Sequence, residues 1–398
     1  VTGSFSINNN LQLREVQLNT VMRLSSTEFS LYGQNSTLLN MSQLVDISSF
    51  VNLYGNLGSL TISMPSLGTI SNELAIRGNE AVSGVGLPSL VTLGGTLRIW
   101  SNIALGPVDL PMLANITGAM RIYSNSNASA VDLASLTKVT GVLEIFSNNL
   151  STISFPALQS VSGTLLVYSN GGLETIVLPS LTSVSGTVKF FDNVDLVSIS
   201  IPHLVNVTGT LSIYSNLKLT SLSIPEANAF AGSSTVGIYQ NPDLVAIDLN
   251  LLLKVDGVFN VYGNKNLGNL SFPSLSILSG SINIYQNDLM ESLRVGSLSI
   301  VSGTISIYQN SFVSLIEFPS LSNVSLTGCI MVYNNLNLST IAFPSPANLS
   351  GVVSVYNNSG LNNVTLGMKQ VNTLIVSGLS IGSPLGMCGN TLGSYIGI

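Results

Sequence analysis

Few residues of this chain have the type and spacing that acid–base or nucleophilic catalysis needs. Histidine occurs once, at His203, at a corner position where other repeats carry serine, so we expect a surface residue and not the base of a Ser-His-Asp or Cys-His arrangement. Two carboxylate pairs, Asp192 with Asp195 and Asp243 with Asp248, are close enough in sequence for glycosidase chemistry. They do not recur on consecutive repeats beside basic residues, so a solvated surface explains them better. We therefore expect no enzyme, no catalytic residue, no metal ligand set and no cofactor.

Covalent modification is the chemistry that the sequence does offer. The N-glycosylation acceptor motif Asn-x-Ser/Thr is frequent, and three of its asparagines (Asn115, Asn206 and Asn323) share one position of a sequence repeat. We expect N-glycans on a secreted protein, with some motifs empty because an inward asparagine cannot carry a sugar. The alternative is that these asparagines are unmodified corner residues. The candidates are Asn35, Asn40, Asn115, Asn127, Asn149, Asn206, Asn269, Asn323, Asn337, Asn348, Asn357 and Asn363.

An internal repeat positions all of these residues. GTLRIWSN from Gly95 recurs as GAMRIYSN from Gly118, GTLLVYSN from Gly163 and GTISIYQN from Gly303, with steps of mostly about 23 residues. One unit reads G-T-L-x-I-Y-x-N-x-x-L-x-x-I-x-x-P-S-L-x-x-V-S/T, and about 17 copies fill the chain. A unit this short cannot bury its own core, so it must stack on its neighbours.

The unit predicts an all-β solenoid. It contains three short apolar pieces rich in β-branched residues, none long enough for a helix, with glycine or proline at each corner. We expect one continuous solenoid over residues 1–380 and a tail or cap over residues 381–398. At the unit start we expect glycine to adopt positive φ in a tight turn.

The asparagine that closes each LxIYxN segment predicts a structural ladder. Stacked corners leave backbone N–H and C=O groups unpaired, and an inward amide can both donate to and accept from them. The predicted ladder is Asn56, Asn79, Asn102, Asn125, Asn148, Asn170, Asn193, Asn216, Asn241, Asn264, Asn287, Asn310, Asn335 and Asn358.

An aromatic residue precedes this asparagine by two positions and is predicted to point outward, since Leu and Ile of LxIY face inward. Eleven of the twelve tyrosines and the single tryptophan occupy this position. Three roles remain open: a self-supporting stack of rings, a protein contact surface, or a platform for sugars. The residues are Tyr32, Tyr54, Trp100, Tyr123, Phe146, Tyr168, Phe191, Tyr214, Tyr239, Tyr262, Tyr285, Tyr308, Tyr333 and Tyr356.

The two cysteines, Cys329 and Cys388, are about two and a half coils apart, which corresponds to about 12 Å along the solenoid axis. That exceeds the Cα separation of about 7 Å that a disulfide bridges. A bond between them requires the tail to fold back as a cap. Otherwise Cys388 pairs with another molecule or stays free.

Composition excludes several classes of protein. Only 8% of the residues are charged, and the net charge of −6 leaves no basic surface for nucleic acid. The apolar content of 45% argues against disorder. Asn, Ser, Gly or Pro interrupts every apolar stretch within a few residues, so we expect no transmembrane segment. So little charge implies that glycans or neighbouring molecules cover the surface.

The repeats resemble a known family. GTLSIYSNLKLTSLSIP from Gly209 and GTLLVYSNGGLETIVLPSLTSVSG from Gly163 are similar to the receptor L-domain repeat and its relatives in fungal cell-wall and spore-wall proteins. The resemblance implies a right-handed, leucine-rich-repeat-like β-helix on an extracellular, non-catalytic, often N-glycosylated or GPI-anchored protein. Receptor L domains are shorter, with about half a dozen turns, and are capped by disulfides, whereas this chain has no cysteine near its start.

Taken together, the sequence favours an extracellular structural glycoprotein, a β-solenoid that assembles into a surface filament, coat or cell-wall layer. Its expected partners are other copies of itself or other extracellular structural proteins. The alternative is a receptor-like or adhesive ectodomain that binds a protein or glycan through its aromatic residues.

Overall fold

The computed structural model describes residues 3–25, 28–35, 38–126, 131–230, 234–345, 348–367 and 370–377. These residues form β-strands joined by turns, without a helix in these ranges. Strands of successive repeats pair in parallel, which confirms the predicted all-β solenoid. The chain divides into two compact units, Val1–Leu196 (unit 1) and Val197–Ile398 (unit 2).

Alternation of side chains along each strand creates the core. In Leu97–Trp100, Leu97 and Ile99 are buried while Arg98 and Trp100 point outward. The strands of one coil lie on different faces, so their backbone groups pair with the same positions of the next coil, as Ile99 does with Ile122. The repeat period of the sequence therefore becomes the spacing between paired strands.

Face 1 of each unit contains the strands that carry the aromatic position. In unit 1 they are Phe5–Asn8, Glu28–Tyr32, Phe50–Tyr54, Leu74–Arg77, Leu97–Trp100, Met120–Tyr123, Leu143–Phe146, Leu165–Tyr168 and Val188–Phe191. In unit 2 they are Leu211–Tyr214, Thr235–Tyr239, Val258–Tyr262, Ser281–Tyr285, Thr304–Tyr308, Cys329–Tyr333, Asn348–Tyr356 and Gln370–Ser377.

Face 2 follows the asparagine corner, and its residues are the LxxI piece of the unit. In unit 1 its strands are Glu15–Gln17, Leu38–Asn40, Ser59–Ser63, Ala81–Gly86, Ala104–Leu105, Val108–Asp109, Val131–Asp132, Thr152–Ser154 and Thr175–Val177. In unit 2 they are Ser198–Ser200, Ser221–Ser223, Ala246–Asp248, Asn269–Ser271, Ser292–Arg294, Leu315–Glu317, Thr340–Phe343 and Asn363–Leu366.

Face 3 follows the turn that contains proline, as at Pro179, where a missing backbone donor is tolerated. In unit 1 its two-residue strands are Arg23–Leu24, Asp46–Ile47, Thr69–Ile70, Thr92–Leu93, Asn115–Ile116, Lys138–Val139, Ser160–Val161 and Ser183–Val184. In unit 2 they are Asn206–Val207, Ala229–Phe230, Lys254–Val255, Ile277–Leu278, Ile300–Val301 and Asn323–Val324, and the long strand Asn348–Tyr356 continues this face into face 1.

Glycine opens most units because neighbouring coils touch there. The predicted positive φ is wrong for Gly118, Gly141 and Gly303, none of which is in the left-handed region. A Cβ on Gly303 would lie 1.7 Å from the carbonyl oxygen of Gly280, and a Cβ on Gly118 would lie 2.6 Å from the carbonyl carbon of Gly95. Close backbone approach, and not backbone dihedral strain, is therefore what excludes a side chain at this corner.

We predict that Gly303→Ala lowers the free energy of unfolding by about 2–3 kcal/mol, because the added methyl group forces two coils apart. Gly268→Ala is the matched control in the same unit, since its Cβ would meet only the carbonyl oxygen of Val245 at 3.8 Å. Denaturant unfolding of both variants measures the difference. Equal losses would contradict the steric explanation.

Candidate functional site

Buried asparagines close the corner between face 1 and face 2. Nδ2 of Asn264 donates to Oδ1 of Asn287 at 3.3 Å and to the carbonyl oxygen of Ile238 at 2.9 Å. The backbone N–H of Asn264 donates to the same Oδ1 of Asn287 at 3.2 Å. Its own Oδ1 accepts from the backbone and side-chain N–H groups of Asn241. The side-chain amide of Asn264 is thereby saturated by protein groups alone.

The structure places all fourteen ladder asparagines inside, each at most 5% exposed. In unit 1, for example, Nδ2 of Asn79 donates to Oδ1 of Asn102 at 2.8 Å. The sequence pattern missed Gln34, which stands at the same corner of an early coil and donates its backbone N–H to Oδ1 of Asn56 at 3.1 Å.

A left-handed residue between the aromatic residue and the asparagine turns the chain inward. It has φ of 52–55° where it is not glycine, and the residues are Ser101, Ser124, Ser147, Ser169, Asp192, Ser215, Gln240, Gln286, Gln309, Asn334 and Asn357. Gly55, Gly78 and Gly263 hold this position in other coils with φ of 57–67°. The recurrence of glycine among small polar residues was a readable signal for positive φ that sequence reasoning did not use.

We predict that Asn264→Ala lowers the free energy of unfolding by about 3 kcal/mol, because it leaves buried groups of Asn241 and Ile238 without partners. Asn266→Ala is the matched control, since that side chain is exposed and bonds only Asp243 at the surface. Its expected cost is below about 0.5 kcal/mol. Urea unfolding distinguishes the two, and a small cost at Asn264 would contradict a structural role for the ladder.

Within each unit the outward aromatic residues stack on one another. In unit 2 the ring centroids from Tyr214 to Tyr356 are 4.6–5.0 Å apart with interplanar angles of 2–8°. In unit 1 the run from Tyr123 to Phe191 has spacings of 4.7–4.8 Å. Each internal ring therefore has both faces against neighbouring rings and presents its edge to the outside.

The rings also lean over their own strand. A Cβ on Gly237 would lie 2.8 Å from Cε1 of Tyr239, and Ser212 and Ser306, at the same strand position as Gly237, are at most 7% exposed. A sugar platform requires an open ring face, which the interior of these described runs does not provide. Of the three roles expected for the aromatic residues, this geometry favours the self-supporting stack and leaves the ring edges for a protein contact.

Arg77 is a member of the stack that the aromatic pattern passed over. It occupies the aromatic position of its coil, and its guanidinium carbon lies 4.4 Å from the ring centroid of Tyr54 and 5.5 Å from that of Trp100. The planar cation thus continues the stack by cation–π contacts. The sequence shows its position, because Arg77 precedes Asn79 by two residues, but only the structure shows its contact with the rings.

Burial in the stack changes the acidity of the phenols. Desolvation, followed by the charge of adjacent tyrosines, raises the pKa of Tyr239 and Tyr285 to about 12. Desolvation and a hydrogen bond donated to Glu144 at 3.1 Å raise the pKa of Tyr168 to about 12. The phenols of Tyr168, Tyr239 and Tyr285 therefore keep their protons to higher pH than an exposed tyrosine does.

We predict that the free energy of unfolding falls as pH rises from 10 to 12, because tyrosines of the unfolded chain ionise near 10.0 while these phenols keep their protons to about 12. The stability that these protonated phenols contribute is fully present below pH 10 and is lost as the pH rises through their folded-state pKa of about 12. Tyr239→Phe with Tyr285→Phe should flatten the fall, and Phe146 shows that the position accepts Phe. Tyrosinate absorbance measures the titration, and a folded-state midpoint near 10 would contradict the prediction.

The glycosylation candidates lie at the surface. Eight of the eleven that the structure describes are exposed and the other three (Asn40, Asn323 and Asn357) are partly exposed, while Asn127 lies outside the described residues. The expectation that some of them point inward is wrong for these eleven. The inward asparagines are the ladder, and none of those begins an acceptor motif.

The polar residues considered for catalysis have structural partners. Nδ1 of His203 lies 3.0 Å from Oε1 of Glu226. Asp192 is a left-handed corner residue, and Asp248 accepts from the hydroxyl of Ser223 at 3.3 Å. Among the described residues, no three His, Cys, Asp or Glu side chains converge as metal ligands would.

The candidate disulfide stays a prediction. Cys329 is buried at the start of a face 1 strand of unit 2, and Cys388 lies outside the described residues.

Within the described part of the chain, no helix has the length and apolar character that crossing a bilayer requires.

Comparison with known proteins finds a family model that matches part of the chain and remote similarity to a solved structure. Among solved structures, the chain is similar to a chain of the Toll–Spatzle complex of Drosophila, with 12% identity over 98% of this chain and 70% of that chain and a TM-score of 0.23, too low to support an argument. No curated protein matches. The family model described as Receptor L domain matches residues 110–205. Over that segment, this β-solenoid is therefore similar to the receptor L domain, as its repeat sequence predicts.

Proposed function

We propose that the protein is a non-catalytic, extracellular structural glycoprotein whose β-solenoid assembles into a surface filament, coat or cell-wall layer. The surface position of every described glycosylation candidate carries this proposal. N-glycans are added to secreted chains, and a glycan needs an asparagine whose side chain reaches solvent. The similarity of residues 110–205 to the receptor L domain supports an extracellular location.

The internal order of the solenoid supports a structural role. Asparagine amides, stacked rings and apolar side chains stabilise the coils, and none of these requires an ion or a ligand. The single histidine is paired with Glu226 at the surface. The region from Phe318 to Ile398 contains one charged residue, Lys369, and five of the twelve acceptor motifs. Glycans and neighbouring molecules are the two ways to keep such a surface in solution or in a wall.

A receptor-like or adhesive ectodomain is the second candidate. The match to the receptor L domain over residues 110–205 favours it. Because the ring faces are covered within the stacks, its ligand would be a protein that contacts the ring edges. A purified glycosylated protein that stays monomeric and binds a cell-surface protein saturably would favour this candidate over assembly.

We predict that the chain, secreted from eukaryotic cells behind a signal peptide, loses mass on treatment with a peptide N-glycosidase and forms oligomers whose size increases with concentration. Ser151→Ala removes the acceptor motif of Asn149 and should remove one glycan. Thr152→Ala, an exposed neighbour outside the motif, is the matched control. Mass spectrometry and light scattering provide the readouts. A protein without glycans, or one that is monomeric at every concentration, would contradict the proposal.

A further inference from the structure

One surface of unit 2 differs in charge from its counterpart in unit 1. We define the tyrosine face as the outward side of the six face 1 strands Leu211–Tyr214, Thr235–Tyr239, Val258–Tyr262, Ser281–Tyr285, Thr304–Tyr308 and Cys329–Tyr333. These six strands contain no Asp, Glu, Lys or Arg. The face 1 strands of unit 1 contain Glu28, Arg77, Arg98, Arg121, Glu144 and Lys189. Four of these six (Arg98, Arg121, Glu144 and Lys189) share the repeat position that precedes the aromatic residue by two, and that position is uncharged in the six strands of unit 2.

The tyrosine face consists of a row of ring edges above a row of uncharged residues, of which Asn260 and Asn283 are partly exposed. The rings run from Tyr214 to Tyr333 at 4.6–4.9 Å spacing. Beside them, Nδ2 of Asn283 donates to Oδ1 of Asn260 at 2.8 Å on the neighbouring coil. Val258, at the other edge, is 37% exposed. Tyrosine is enriched in protein interfaces because one side chain supplies both apolar area and a hydroxyl.

The regular spacing of side chains along the tyrosine face limits which partner surfaces can match it. Its features repeat at one coil rise, about 4.8 Å, which is the rise of stacked parallel β-strands. A second copy of this chain presents the same rise and the same uncharged side chains. Six strands of about five residues cover roughly 500 Å² per copy, so two copies bury about 1,000 Å². That area is near the lower limit for a specific interface.

We propose that a second copy of this chain docks on the tyrosine face, face to face, to form a two-fold dimer. The inference rests on the proposed assembly function and names the surface through which assembly begins. An isologous contact uses the same patch on both copies, so one uncharged patch is sufficient. The contact contains no ion pair, and its strength should change little with ionic strength.

The test places like charges on the tyrosine face of the full glycosylated chain. Asn260→Lys with Asn283→Lys puts two cations on register partners of neighbouring coils. The same position of unit 1 has room for long cationic side chains, because Arg98 and Arg121 are register partners there, each beside a carboxylate that unit 2 lacks. The matched control is Ile277→Lys with Ile300→Lys on face 3 of the same unit, also register partners, 37% and 38% exposed, in the row that already contains Lys254.

Sedimentation velocity and equilibrium measure the dimer dissociation constant, with circular dichroism as the check of folding. We expect the Asn260/Asn283 variant to weaken the dimer at least tenfold and the Ile277/Ile300 control to stay within about twofold of the unmodified chain. If the double variant does not fold, Val258→Lys repeats the test with one substitution on the same face.

If both pairs of substitutions change the dissociation constant equally, or if neither pair changes it, the tyrosine-face dimer is overturned while the proposed assembly remains in place. A glycosylated chain that is monomeric at every concentration would overturn both. Strong weakening of the dimer by added salt would also contradict an uncharged interface.

Discussion

The parallel hydrogen-bond ladders between coils impose one spacing, about 4.8 Å, on every repeated side chain. Each residue type in the repeat must therefore tolerate contact with a copy of itself. Asparagine does so because its amide both donates and accepts, as between Asn79 and Asn102. Aromatic rings do so by stacking, as between Tyr262 and Tyr285. Glycine does so at the unit start because it has no side chain to collide with the next coil.

The same spacing explains the low charge. Two like charges 4.8 Å apart repel by about 1 kcal/mol even in water and by more near a protein surface, so a charged residue is a poor choice for a repeated position. Where face 1 of unit 1 does carry charge, cations reach carboxylates on neighbouring coils, at 3.5 Å for Arg98 with Glu73 and 3.2 Å for Arg121 with Glu144. Unit 2 avoids the problem with uncharged residues in the six strands from Leu211–Tyr214 to Cys329–Tyr333.

Asparagine has two roles in this chain that a residue count does not separate. Those that follow a left-handed residue after the aromatic position are buried and saturated by hydrogen bonds, as Asn264 is. Those in acceptor motifs lie on the surface, as Asn149 and Asn206 do. Position in the repeat separates the two sets, because one corner points every side chain inward and the flanking positions point outward. A structural role inside and a glycan coat outside are therefore compatible in one asparagine-rich sequence.

The all-β solenoid and the outward aromatic row could be predicted from the repeat period, the alternation of LxIY and the periodic prolines. Each of these is a local pattern that recurs in every coil, so reading one coil is enough to predict its stacked neighbours. Three features could not be read so directly. A side chain at position 303 is excluded by the carbonyl oxygen of Gly280 on a neighbouring coil. The ring faces are covered by rings that lie about 23 residues away in the sequence. Arg77 takes part in the stack despite its charge. Sequence by itself determined which residues repeat and therefore which would meet. Only the tertiary structure decided how they meet, because contact distance, ring orientation and burial depend on the packing of one coil against the next.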